Sequence, residues 1–227
     1  MNEYREVIVL KKIIIIGAGG FGRELLQWIK DINNIQSTWE IAGFLDDNKN
    51  ALDNVACDYQ VIGTITDWIP KEDEEFVLAL GSPKLKRKIV SCMKQKGAKF
   101  ATVIHPTAII SEFAEHGEGL VMFPYSKLSC NSMAGDFVTI LSSPIGHDTI
   151  IGDYTVISGN CNIIRNVEIG KNVFLAAGVC IAQDIKIGDG AYLGLGAVIL
   201  GDVKPDAVMF GNPARQVLNQ KYTREET

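Results

Sequence analysis

Histidine is scarce, with three residues in 227, and none of the five cysteines forms a CxxC pair. An odd set of unpaired cysteines suggests neither a disulfide framework nor a zinc site, so no metal is expected. It fits a reducing, cytoplasmic compartment. Basic residues are in deficit: 22 Lys and Arg against 27 Asp and Glu give a net charge of -5. Nucleic-acid affinity comes from clustered Lys and Arg, so this balance argues against a nucleic-acid partner. The N-terminal apolar run follows Glu3 and Glu6 and is broken by Lys11 and Lys12. It reads as neither a signal peptide nor a membrane span. What remains is ample hydrophobic residue, 47%, enough to bury a core in one large domain or two small ones.

The chain divides into halves with different periods. Residues 1–104 alternate strand and helix. Lys12 to Ile16 is a β-branched run too short for a helix, which predicts a strand covered on both faces. It leads into Gly17-Ala18-Gly19-Gly20-Phe21-Gly22, and Arg23 to Lys30 then sets Leu25, Leu26 and Ile29 on one helical face. Ile41 to Leu45 predicts a strand ended by Asp46-Asp47, and Glu75 to Leu80 another ended by Gly81-Ser82-Pro83. Lys84 to Lys96 reads as a helix stopped by Gly97. This alternation predicts a small Rossmann-like parallel sheet covered by helices, without a second βαβ set.

From Ile145 the period is six. Ile145, Ile151, Ile157, Ile163, Ile169, Leu175, Ile181, Ile187, Leu193 and Ile199 stand in strict register, which no α-helix or simple strand produces. A hexapeptide repeat is a β-helix signature. Each aliphatic is expected to point inward, and residues 18 apart to stack at about 4.8 Å per coil. Ile145, Ile163, Ile181 and Ile199 form one such column. Gly152-Asp153, Gly170-Lys171 and Gly188-Asp189 are expected to make the corners, where unusual backbone angles are needed. Between Thr107 and Ile140 the register is looser, carried by Ile109, Val121 and Ile140, and a five-residue side precedes Ile145. The β-helix is placed at 105–215 and a charged tail at 216–227.

Two sites carry chemistry. Gly17, Gly19 and Gly22 fit G-x-G-x-x-G between strand and helix, with Asp46 and Asp47 downstream. Such a loop admits close backbone approach, a helix N-terminus offers N–H groups to phosphate, and an aspartate accepts ribose hydroxyls. The half-sized sheet favours a nucleoside diphosphate over a dinucleotide, although an NAD-dependent oxidoreductase stays open. The other site is Gly146-His147-Asp148, at a predicted corner. An imidazole is the usual general base near neutrality, and a neighbouring carboxylate can orient it. A solvated corner histidine is the bland alternative. A γ-type carbonic anhydrase would need several histidines around zinc, and two of the three here lie outside the regular repeat.

The glycine loop, the Phe44-Leu45-Asp46-Asp47 strand end, the hexapeptide array with its His-acid pair, and Gly211-Asn212-Pro213-Ala214-Arg215 occur in order. Together they resemble the NeuD/PglD-type bacterial sugar acyltransferases over roughly Lys11 to Arg215. That resemblance implies a left-handed parallel β-helix and a homotrimer with acetyl-CoA between neighbouring helices. It implies N-acetylation of a nucleotide-linked amino sugar for bacterial surface glycans, or O-acetylation of a sialic acid or related sugar; Val156 and the shortened corner before His147 leave a non-catalytic sugar-nucleotide-binding scaffold open. Gly17, Gly19, Gly20, Phe21, Asp46, Asp47 and Gly81 would meet the nucleotide sugar. Val156, Ala177, Gly178, Leu195 and Gly196 would meet acetyl-CoA. His147 would accept the proton, with Asp148 making it more basic. The chain departs from the family in Asp148, where many members carry glutamate, and in Val156, where some carry a second histidine. Its side before His147 is also one residue shorter than in many relatives.

Overall fold

The structure, a computed structural model, describes residues 10–217. The N-terminal sheet comprises β1 (Lys11–Ile16), β2 (Trp39–Leu45), β3 (Val61–Gly63), β4 (Glu74–Leu78) and β5 (Lys99–Phe100). All pairings are parallel, in the order β3-β2-β1-β4-β5. Helix α1 (Gly20–Ile35) follows β1, and α2 (Pro83–Gln95) follows β4. The unbroken isoleucine run has a simple cause: β1 is covered on both sides. Ile13 and Ile15 pack with Leu25, Leu26 and Ile29 of α1, and Ile14 and Ile16 with Ile89, Val90 and Met93 of α2. Ser82 caps α2 by accepting the Leu85 N–H at 3.3 Å, Pro83 opens it, and Gly97 at φ 87° follows its end.

Two strands go beyond the sequence reading. β3 and β5 have three and two residues, too few to leave an aliphatic pattern. β5 completes a β4-α2-β5 unit, a shortened second half where none was expected. Its consequence is positional. β1 lies between β2 and β4, so the crevice at their carboxyl ends is the switch point of an α/β sheet, where ligands bind.

The second half is a parallel β-helix of strands two residues long, three at Val208–Phe210, on three faces. One face runs from Val103–Ile104 to Arg215–Gln216, the second from Ile109–Ile110 to Val198–Ile199, and the third from Glu115–His116 to Lys186–Ile187. All ten repeat aliphatics are buried in one core, each contributing about 1.5–3 kcal/mol through removal from water. Ile145, Ile163, Ile181 and Ile199 pair in succession as the expected column.

Three expectations need correction. The early coils are as regular as the late ones: strands recur every six residues from Val103–Ile104 to Thr139–Ile140. Met122, Leu128 and Ala134 fill the core there, while Ile109 is 56% exposed and Val121 joins the N-terminal domain's core. The β-helix also starts before residue 105, since Val103–Ile104 pairs with Val121–Met122. Finally, the left-handed corner residues are Tyr154, Asn172 and Gly190, not the glycines before them. Gly152 is glycine because a Cβ would lie 2.6 Å from the Gly170 carbonyl carbon in the next coil. The five-residue side is present, with Thr139–Ile140 followed by Pro144–Ile145. Gly211 to Ala214 turns the chain back, so Arg215–Gln216 pairs antiparallel with Val208–Phe210. The expected tail lies outside the described residues beyond Val217.

The halves share buried surface. Val103, Val121 and Phe123 of the β-helix complete the α1-side core, and Phe137 completes the α2-side core. Lys86 of α2, 1% exposed, crosses this seam and donates to Phe137 O at 2.5 Å and Thr139 Oγ1 at 2.8 Å.

Candidate active site

The predicted nucleotide-sugar residues other than Phe21 lie at the carboxyl edge of the sheet. Gly17, at φ 102°, donates to Leu45 O at 2.8 Å, and a Cβ there would lie 2.8 Å from Ala79 O. Only glycine fits this left-handed position between the ends of β2 and β4. Gly22 has the same compulsion from packing: a Cβ would lie 2.0 Å from Gly17 O. Gly19 and Gly20 are exposed, and a Cβ on Gly19 or Gly81 would meet open space. Gly19 N-caps α1 without a side-chain hydrogen bond, which leaves first-turn N–H groups without a capping side chain.

The aspartates do more than wait for ribose. Asp46 accepts from the Ala18 N–H at 2.8 Å and from the Asn48 N–H at 2.9 Å. Asp47 accepts from the Ile65 N–H at 2.9 Å. Both carboxylates therefore brace the loops that shape the crevice. Phe21 has turned onto the β-helix, edge-on to Phe123 at 5.5 Å between ring centres. It anchors α1 rather than standing in the loop.

His147 lies on the edge joining the second and third faces. Its side chain is 49% exposed. Nδ1 sits 2.5 Å from Asp148 Oδ2. An ionised carboxylate can only accept, so Nδ1 carries a proton, and in the neutral tautomer this leaves the lone pair on Nε2. The hydrogen bond from His147, reinforced by one from Asn131, holds the Asp148 carboxyl below its ordinary range, which keeps it charged. Gly146 is obligatory: a Cβ would fall 1.1 Å from Ile164 O. Coil stacking places Cys130 below His147 and Arg165 above, through Asp148 N–H to Cys130 O at 3.1 Å and Asn166 N–H to His147 O at 3.0 Å. Asn131, Cys130 and Arg165 escaped the sequence reading. The usable signal was the stacking offset, shortened from 18 to 17 by the five-residue side.

The predicted acetyl-CoA residues lie elsewhere. Ala177-Gly178 and Leu195-Gly196 form the edge joining the first and second faces. Gly178 and Gly196 spend their N–H groups on Gly159 O and Ala177 O, both at 3.0 Å. Ala177 and Leu195, both exposed, donate no backbone hydrogen bond among the described residues. Val156 is 1% exposed between Thr139 and Phe174, so its side chain offers no surface to a ligand in the single chain. One chain therefore keeps His147 and the Ala177–Leu195 edge apart, on two edges of the prism.

His105 is buried, with Nδ1 2.8 Å from Thr107 Oγ1 and its ring edge-on to Trp28, and His116 is exposed. Among the described residues no group of three or more His, Cys, Asp or Glu could hold a metal, and no helix is long and apolar enough to cross a membrane.

Comparison with known proteins agrees with this architecture. The PglD N-terminal domain model matches residues 12–93, and the bacterial transferase hexapeptide (six repeats) matches 148–183 and 166–201. GDP-perosamine N-acetyltransferase of Escherichia coli O157:H7 is 26% identical over 166 residues, covering 72% of this chain and 75% of that protein. UDP-N-acetylbacillosamine N-acetyltransferase of Bacillus subtilis (strain 168) is 28% identical over 117 residues, 50% of this chain and 51% of that one. The acetyltransferase domain of PglB from Neisseria gonorrhoeae FA1090, solved in complex with acetyl coenzyme A, is 27% identical with a TM-score of 0.83. The match covers 92% of this chain and 100% of that one. The chain thus carries a PglD N-terminal domain followed by bacterial transferase hexapeptide repeats, and it is similar to sugar N-acetyltransferases over most of its length.

Proposed function

We propose that the chain transfers the acetyl group of acetyl-CoA to the amino group of a nucleotide-linked amino sugar, with His147 as general base. The observation that carries this reading is the exposed His147 imidazole, tied through Nδ1 to Asp148 with Nε2 left to accept a proton. The named relatives support N- over O-acetylation. An amine attacks a thioester only in its neutral form. The new C–N bond forms as the amine lone pair adds to the carbonyl, and the tetrahedral adduct gives its extra proton to Nε2. Collapse breaks the C–S bond, and the proton passes to the departing thiolate. Backbone N–H groups stabilise the oxyanion. No acyl-enzyme is required.

The glycine loop, Asp46, Asp47 and Gly81 hold the nucleotide diphosphate at the switch point, with α1's N-terminus toward the phosphates. The N–H groups of Ala177 and Leu195 meet the amides of the pantetheine arm. Because these lie on a different edge from His147, a second copy must bring donor and base together. A homotrimer with one acetyl-CoA site between each pair of neighbours satisfies this, and light scattering on the purified chain tests it. The five free thiols suit a cytoplasmic enzyme.

The test is thiol release from acetyl-CoA across a panel of UDP-, GDP- and dTDP-linked amino sugars. Release that needs the sugar amine, with a product resistant to hydroxylamine, is expected of an amide. A hydroxylamine-labile product identifies an O-acetyltransferase instead. No release with any sugar points to a non-catalytic scaffold, and a melting shift with NAD alone points to an oxidoreductase.

A further inference from the structure

The corner that carries His147 is built as a ladder of left-handed residues. Asn131, Asp148, Asn166 and Asp184, at φ 56°, 57°, 51° and 63°, occupy equivalent positions in successive coils. Asparagine and aspartate tolerate this backbone region better than other side chains. The ladder is bonded in pairs. Asn131 Nδ2 donates to Asp148 Oδ1 at 3.2 Å, and Asn166 Nδ2 donates to Asp184 Oδ1 at 2.8 Å.

What differs is the side chain beside each aspartate. Asp184 faces Arg165 Nη1 at 3.5 Å, an exposed pair with no chemistry in the mechanism. Asp148 faces His147 Nδ1 through its other oxygen. With the imidazole alone as partner, the His147–Asp148 pair could swing as a unit at a solvent-exposed edge. The amide of Asn131 comes from the preceding coil and ties the carboxylate to the prism. A base must be held within hydrogen-bond reach of the proton it removes.

We propose that Asn131 is a positioning residue for the reaction: through Asp148 it fixes the plane and tautomer of His147. The proposal rests on the reading of His147 as the base. Besides Asp148, the groups facing His147 in this chain are Cys130 one coil below and Arg165 one coil above, the latter engaged by Asp184.

The test compares two glycine substitutions with matched backbone consequences. Asn131→Gly and Asn166→Gly each keep a left-handed position and each delete one ladder hydrogen bond. Asn131→Gly is expected to lower kcat about fivefold, the size suited to a half-exposed charge-assisted bond, with KM for acetyl-CoA and nucleotide sugar within about twofold. Asn166→Gly is expected to lower the melting temperature comparably and leave kcat and its pH profile as in the parent. Asn131→Asp replaces the donor with a carboxylate that favours imidazolium, so the acid limb of kcat should move to higher pH. If Asn131→Gly and Asn166→Gly change kcat alike, or neither changes it, the ladder is structural only and the proposal falls. His147→Ala is assayed in parallel. A fully active His147→Ala overturns the base reading itself, whereas an inactive one beside an unaffected Asn131→Gly overturns the positioning role alone.

Discussion

Replacing Lys86 with methionine should change how stability depends on pH, more than stability itself. The amine is buried at the seam between the halves and, among the described residues, is bonded to a carbonyl and a hydroxyl. Burial pushes it from its ordinary 10.5 down to about 7. At ~1.36 kcal/mol per pH decade, that difference corresponds to about 5 kcal/mol of folding free energy. The sign follows from proton counts. Between about pH 7 and 10.5 the unfolded chain holds a proton on Lys86 that the folded chain has shed, so stability rises with pH across that window. Methionine fills similar volume and does not titrate. The other titrating groups are common to both proteins and cancel in the difference. Urea denaturation of both at intervals from pH 7 to 9.5 should show the parent gaining about 3 kcal/mol relative to Lys86→Met. Parallel curves would mean that the ammonium stays charged in the folded state, held by Phe137 O and Thr139 Oγ1, and the reasoning would fail.

Gly22→Ala should destabilise by about 3 kcal/mol, because its Cβ meets the Gly17 carbonyl and α1 must lift from β1. Calorimetry reads this as a melting temperature lower by about 6–12 °C for a chain of this size. A change under 2 °C would contradict the packing argument. Asp46→Ala frees the Ala18 and Asn48 N–H groups and should weaken nucleotide-sugar binding about tenfold, as loss of bracing hydrogen bonds to a carboxylate implies. Acetyl-CoA binding should be untouched, and isothermal titration with each ligand separates the two.

Much of this was legible because burial imposes periods. The isoleucine run of β1 announced two covered faces, and the six-residue register announced the β-helix before any coordinate. The early coils were harder to read because Met122 and Ala134 fill the core as well as isoleucine does, yet hide the pattern. Two outward residues, Ile109 and Val121, imitated it. β5 was invisible for a different reason: two residues between helix and coil carry no pattern, and only pairing with β4 makes them a strand. At the site, His147 and Asp148 stood out as neighbours in sequence. Asn131 did not, because its relation to Asp148 exists only once coils stack, and the short side after Ile140 shifts the stacking offset by one. Phe21 and Val156 show the converse. The resemblance assigned them ligand contacts, and in the single chain their side chains pack against Phe123 and between Thr139 and Phe174.

The central claim is that one imidazole at a prism edge removes the proton that acetyl transfer liberates. Its most direct test is the turnover of His147→Ala with acetyl-CoA and the best nucleotide amino sugar, beside the measured affinity for acetyl-CoA. A general base supplies about 10²–10⁴-fold, so turnover should fall by that factor while acetyl-CoA affinity stays within about twofold. Turnover within threefold of the parent enzyme would contradict the account.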